Sequence, residues 1–180
     1  MKKVQSLSKT KAIFLDRDGV INIEKEYLYK IEDFEFINGV FDSLLYLQQK
    51  GFLLFIITNQ SGINRGYYTK DDFDILTSWM IKEFLLRNIT ISSLEFCPHR
   101  PNENCLCRKP NTLMIDNILK SYNIDLNNSW LIGDKASDIL CALKANIKNS
   151  IQVRSGHKFD ENLSKATFII DSIKDIKAII

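Results

Sequence analysis

Several things are missing from this chain, and each absence narrows what it can be. Met1 to Lys11 carries lysines but no apolar core of the kind a secretory signal needs. No uninterrupted apolar run is long enough to span a bilayer, so a membrane-embedded protein is not expected. A net charge of +2 leaves no broad basic field, and bulk nucleic-acid binding is not indicated. There is no internal repeat, no low-complexity stretch and no linker. The expected protein is therefore one domain spanning residues 1–180, a cytoplasmic monomer. What remains is ordinary for a globular protein: 45% apolar residues and 26% charged, in a chain long enough for a full core. The four cysteines are, in that compartment, better suited to metal ligation or core packing than to disulfides.

The stretch Ile13-Phe14-Leu15-Asp16-Arg17-Asp18-Gly19 organises the reading. The apolar residues Ala12 to Leu15 predict a buried strand of a parallel sheet. Its carboxyl end is where open α/β sheets place their ligand sites, and Asp16 and Asp18 leave it there. Two carboxylates this close repel, and a hard divalent cation such as Mg²⁺ would relieve the conflict. Asp16 is suited to be a nucleophile towards phosphorus, and Asp18 to give and take a proton. Alone, Asp-x-Asp-Gly is equally a polar turn after a strand.

Further elements follow in alternation. A helix is expected over Gly39–Lys50 and a strand over Phe52–Ile57, the strand ending in Thr58-Asn59-Gln60-Ser61. Thr69 and Asp72 form a capping-box pattern for a helix running to Arg87. A strand over Ser93–Phe96, a helix over Asn111–Tyr122 and a strand over Trp130–Ile132 come next, the last ending in Gly133-Asp134-Lys135. A helix over about Ser137–Ala145, strands over Ile151–Val153 and Phe168–Ile170, and a terminal helix capped by Asp171 or Ser172 complete the chain. This alternation predicts an α/β fold, a doubly wound parallel sheet with helices on both faces. The long loop from Asn22 to Ile37 is either a binding loop or lid, or a small extra turn whose tyrosines pack.

Three strands in succession thus end in polar clusters, and a parallel sheet brings them to one edge. Thr58 can offer a hydroxyl to a phosphate oxygen, Asp134 adds a third carboxylate, and Arg108 and Lys109 supply positive charge. Cys97, His99, Cys105 and Cys107 form a set suited to tetrahedral Zn²⁺ in a loop over 97–107. Reduced core cysteines, a disulfide and an incidental histidine are the competing readings. Four protein ligands leave no open position, so such a zinc would be structural, stiffening the loop that delivers Arg108 and Lys109. Cys141 reads as core, His157 as a surface residue with no evident partner, and Arg65 as an exposed turn residue. Asp138 is balanced between support of the site and a simple acid at a helix start.

Asp16-Arg17-Asp18-Gly19, Thr58, Lys109 and Gly133-Asp134 together resemble the four motifs of the haloacid dehalogenase-like (HAD) phosphatases, over nearly the whole chain. The resemblance implies Asp16 as nucleophile and Asp18 as general acid/base, with Asp16, the Asp18 carbonyl and Asp134 holding Mg²⁺. Thr58 and Lys109 would orient the phosphoryl group, and no large cap domain is expected. The Thr58–Gly66 stretch, Cys-Pro-His and Cys-x-Cys-Arg-Lys-Pro further resemble the branch acting on heptose 1,7-bisphosphates, with a zinc loop shared by histidinol-phosphate phosphatases. That likeness implies removal of the C7 phosphate for nucleotide-activated heptose and surface polysaccharide such as lipopolysaccharide. It also implies sugar-phosphate contacts from Glu24, Lys25, Glu26 and Tyr27, from Thr58, Asn59, Gln60 and Ser61, and from Arg108, Lys109 and Lys135. Histidinol phosphate is the alternative substrate. A signalling receiver, which also uses Asp, Mg²⁺, Thr and Lys, is the alternative of another class.

Overall fold

The computed structural model describes residues 9–180, so most of the stretch read above for a secretory signal lies outside the described residues. Six strands, β1 (Ala12–Leu15), β2 (Leu53–Asn59), β3 (Ile91–Cys97), β4 (Trp130–Gly133), β5 (Asn149–Val153) and β6 (Phe168–Ile170), form one sheet in the order β3-β2-β1-β4-β5-β6. Every pairing is parallel. The order in which strands are added reverses at β1, which lies between β2 and β4, and this is the switch point at which such sheets hold ligands.

Alternation along the strands divides the core in two. Ile13, Leu15, Leu54, Ile56, Ile132, Ile151 and Val153 face α1 (Val40–Gln49) and α3 (Lys70–Leu85). Ala12, Phe14, Phe55, Ile57 and Leu131 face α4 (Leu113–Ser121) and α5 (Ala136–Lys144), with Phe14 and Phe55 stacked 5.4 Å apart. With both faces covered, the strands must be apolar on both sides, which is why they read as continuous runs rather than alternating ones. Among the described residues, no helix is long and apolar enough to cross a membrane.

Most boundaries fall within a residue or two of expectation, and the departures have physical causes. β2 runs on to Asn59, because Thr58 and Asn59 pair with Phe96 and Cys97 of β3. The Thr69–Asp72 capping box forms, with Asp72 N–H on Thr69 Oγ1 at 3.1 Å and Thr69 N–H on Asp72 Oδ2 at 2.8 Å. The expected terminal helix is instead a 3₁₀ turn over Ile173–Ala178, where Ser172 N–H donates to Asp175 Oδ2. The buried Ile173 and Ile176 are three residues apart, a spacing that the tighter turn aligns on one face. A short helix, α2 (Gly62–Arg65), was not foreseen; it closes on Gly66 at φ 76°.

The long loop contains a 3₁₀ turn at Ile31–Asp33 and is anchored by the bridge between Asn22 and Phe36. Its tyrosines pack against the segment after α2: Tyr27 on Tyr67 with ring centres 4.4 Å apart, and Tyr29 on Tyr68 at 5.4 Å. This loop and the segment after the cysteines line the cavity at the carboxyl edge of the sheet, and among the described residues no large cap is inserted.

Candidate active site

The site is built from strand ends. Asp16 follows β1, Thr58 is the last residue but one of β2, and Asp134 follows β4. Lys109 arrives from the loop between β3 and α4, and Asp138 from the first turn of α5. All of these groups are buried: Asp16 6% exposed, Thr58 1%, Lys109 3%, Asp134 and Asp138 0%.

Lys109 is the centre. Its ammonium lies 2.8 Å from Asp16 Oδ1 and 2.6 Å from Asp138 Oδ1, and donates to the Ile57 carbonyl at 2.8 Å. Burial would strip its proton, but the two carboxylates outweigh burial and hold the pKa above the ordinary lysine value. Asp138 does both things considered for it. Its other oxygen accepts the Lys135 N–H at 2.9 Å at the head of α5, while Oδ1 faces Lys109. Asn59 fixes the lysine's backbone, accepting its N–H at 3.0 Å and donating to its carbonyl at 3.3 Å.

The two acids of the first motif are treated oppositely. Burial pushes Asp16 up to about 6, and Asp138 and Asp18 add to the rise while Lys109 opposes it. Asp18 is also desolvated, but the Arg17 guanidinium and donors from Asn22 and Gln60 more than compensate, holding it below the usual carboxylate value. Arg17 Nη2 lies 2.9 Å from Asp18, as do Asn22 Nδ2 and Gln60 Nε2. The Gln60 amide also donates to Thr58 Oγ1 at 2.8 Å and accepts from the Tyr68 hydroxyl at 2.6 Å. One side chain thus ties the end of β2 to the loop after β1.

A cavity of about 310 Å³ opens over this floor. Asp16, Asp18, Thr58, Arg108 and Lys109 line it, as do Glu24, Lys25, Glu26 and Tyr27 from the long loop. Asn59, Gln60, Ser61 and Lys135 complete the set expected from the sequence. Arg65 and Tyr68 line it as well, Arg65 with its guanidinium 5.9 Å from the Tyr27 ring. Burial, reinforced by the Asp18 charge, raises Glu24 to about 7. Asp134 lies beneath, raised first by burial and then by the charge of Asp16. Its Oδ1 is buried without a hydrogen-bond partner, and it shares a cluster with Asp16 and Asp138 whose ligand atoms all lie within 4.8 Å of one another. An unsatisfied hard oxygen beside a second carboxylate fits a divalent cation.

Cys97 closes β3, and Cys105, Cys107 and His99 converge on it. Cys97 Sγ lies 3.0 Å from Cys107 Sγ and 3.5 Å from Cys105 Sγ, and His99 Nδ1 lies 3.2 Å from Cys107 Sγ. All four cysteines are free, which removes the disulfide reading, and three sulfurs with one nitrogen form a donor set that fits zinc. Cys107 stands two residues before Lys109, so the cluster anchors the loop carrying that lysine. Cys141 is core, as expected.

His157 was expected to be a partnerless surface residue, and this is corrected. Its side chain is 43% exposed, yet Nδ1 lies 2.7 Å from Asp134 Oδ2, and its backbone N–H donates to the same oxygen at 2.8 Å. It comes from the loop after β5, a fourth strand end with no motif to announce it. Arg17, Asn22 and Tyr68 were also not singled out. The Asp-Arg-Asp sequence held the one available hint, a cation between two acids.

A family model described as HAD-hydrolase-like matches residues 106–176. The chain is 49% identical to the D-glycero-alpha-D-manno-heptose-1,7-bisphosphate 7-phosphatase of Campylobacter jejuni, over 83% of this chain and 86% of that protein. It is 40% identical to the D-glycero-beta-D-manno-heptose-1,7-bisphosphate 7-phosphatase of Pasteurella multocida, over 94% and 96% respectively. In fold it resembles the D,D-heptose 1,7-bisphosphate phosphatase of B. bronchiseptica, solved with magnesium and phosphate, at a TM-score of 0.80 and 24% identity over 93% of this chain and 96% of that one.

The burial of Lys109 between two carboxylates predicts the behaviour of Lys109→Met. In magnesium-free buffer at pH 7 the substitution leaves Asp16 and Asp138 buried and uncompensated, costing about 3–5 kcal/mol of stability. Without the ammonium, Asp16 titrates above its present value of about 6, so lowering the pH to 5 protonates it and shrinks the cost. Urea denaturation at the two pH values checks this; a cost that grows at pH 5 would contradict it.

Proposed function

We propose, for a chain that belongs to the heptose-1,7-bisphosphate 7-phosphatases of the HAD-like hydrolases, that it removes the C7 phosphate of D-glycero-D-manno-heptose 1,7-bisphosphate and leaves heptose 1-phosphate. The chain is a phosphoric monoester hydrolase. The observation that carries the substrate reading is the 49% identity to the Campylobacter enzyme over most of both chains. The cavity supports it: Lys25, Arg65, Arg108 and Lys135 surround the buried acids with cations, a place for a second phosphate. Family membership sets the receiver reading aside. The product is taken to feed nucleotide-activated heptose for lipopolysaccharide or another surface polysaccharide. The reading includes an enzyme that works as a monomer in the cytoplasm.

In the proposed reaction, an Asp16 carboxylate oxygen attacks phosphorus and the bond to the sugar oxygen breaks. Lys109 neutralises Asp16 and the phosphoryl oxygens, and Thr58 donates its hydroxyl hydrogen, free because Gln60 occupies an acceptor position on its oxygen. Asp18 passes a proton to the departing sugar oxygen. Because Arg17, Asn22 and Gln60 hold Asp18 ionised in the free site, that proton arrives with the phosphate monoanion, whose second pKa is about 6. Asp18 then takes a proton from water, whose oxygen attacks phosphorus and releases Asp16. Asp16, the Asp18 carbonyl and Asp134 would hold Mg²⁺, which supplies charge neutralisation at the phosphoryl oxygens. Cys97, His99, Cys105 and Cys107 would hold a structural Zn²⁺.

Phosphate release from heptose 1,7-bisphosphate and from histidinol phosphate, measured side by side, tests the substrate. A preference of about tenfold or more for the bisphosphate, with phosphate retained at C1 of the product, is expected, because only a second phosphate gains charge-assisted hydrogen bonds to the cations around the cavity, such as Arg108 and Lys135. Equal or faster turnover of histidinol phosphate would move the enzyme to the other branch. Cys107→Ser tests the zinc reading: the purified variant should carry less zinc, melt about 5 °C or more below the parent and lose activity through a displaced Lys109. A variant melting normally with full activity would sink it.

A further inference from the structure

Asp134 is held with unusual completeness for a residue at a strand end. Its carbonyl accepts from Gln152 Nε2 at 3.1 Å, fixing the backbone. Its carboxylate is enclosed by two glycines from different loops. A Cβ on Gly156 would lie 2.2 Å from Oδ2, and one on Gly19, already at φ 83°, would lie 2.8 Å from the same atom. Ser155 Oγ bonds the Gly19 carbonyl at 2.6 Å and locks these two loops together. Into this enclosure His157 brings two donors, its backbone N–H and its ring Nδ1–H, both to Oδ2. Oδ1 is left buried and without a hydrogen-bond partner, and the carboxylate shares a cluster with Asp16 and Asp138.

The two oxygens are therefore not equivalent. Oδ2 has both hydrogen bonds in place and protein packed against it, which leaves Oδ1 as the free oxygen for a cation. We propose that His157 is a positioning residue that restricts Asp134 to one-oxygen ligation and so favours Mg²⁺ over Ca²⁺ at this site. The chemistry follows from the ions. Mg²⁺ demands near-octahedral geometry with single oxygens at short distance, whereas Ca²⁺ accepts more ligands and takes carboxylates with both oxygens. A carboxylate with one oxygen occupied by the protein suits the first and denies the second its preferred mode. The ring's contact also orients the ligating oxygen, the role that hydrogen-bonding partners of metal ligands usually play. This inference rests on the magnesium reading given above.

The test is calorimetric titration of the zinc-loaded protein with MgCl₂ and, separately, CaCl₂, for the parent, His157→Ala and His157→Asn. The exposed ring can be removed without opening the core. His157→Ala should raise the Kd for Mg²⁺ about tenfold while leaving that for Ca²⁺ unchanged or lower, so that the Mg²⁺ preference falls. His157→Asn, whose amide N–H can stand in for Nδ1–H, should recover most of the preference. If Ala weakens both ions equally, or leaves their ratio within about twofold of the parent, His157 does not set the ligation mode and the inference fails while the magnesium reading stands. A parent protein that binds no Mg²⁺ would overturn both.

Discussion

The structure depends on one buried ammonium. Lys109 lies within 2.8 Å of both Asp16 and Asp138 in a region nearly closed to solvent. None of the three could be there alone, since an isolated buried charge costs several kcal/mol. The Ile57 carbonyl and the Asn59 amide add polar contacts that fix the lysine's head and backbone. This arrangement couples four pieces of chain: the end of β1, the end of β2, the loop after the cysteine cluster and the head of α5. In the proposed reaction the phosphoryl group meets an Asp16 carboxylate whose charge Lys109 already balances. The cysteine–histidine cluster makes sense in this light, because the loop bearing Lys109 has no regular structure of its own between β3 and α4.

Much of this was legible in the sequence. Apolar runs fully buried on both faces predict a parallel sheet, and polar residues placed directly after them predict a shared edge. Asp16, Thr58, Lys109 and Asp134 were recoverable for that reason: each stands where a buried strand stops or a fixed loop returns. The fold also set the roles of Asp18 and Asp16 apart, since adjacent acids in sequence acquire opposite surroundings once Arg17 and Gln60 close on one of them and Lys109 on the other.

What escaped was carried by contacts between distant segments. His157 lies 23 residues beyond Asp134 with no local pattern, and only the return of β5 beside β4 brings them together. Tyr68 acquires its place through Gln60, after the unforeseen turn of α2 redirects the chain. Asp138, balanced in the sequence between a helix-start acid and support of the site, is both, with one oxygen on the Lys135 N–H and the other at Lys109. The final segment, expected as a helix capped by Asp171 or Ser172, is a six-residue 3₁₀ turn, a stretch too short for its pattern to separate the two periods.

The central claim is that Asp16 itself takes the phosphoryl group. Acid quenching of the enzyme during turnover of a sugar bisphosphate, followed by borohydride reduction and peptide mass analysis, tests it directly. An aspartyl phosphate is reduced to homoserine, whereas a free carboxylate is not, so the account predicts homoserine at position 16 and an unchanged Asp18. Homoserine at another acid, or none at all in an enzyme quenched while turning over, would contradict it.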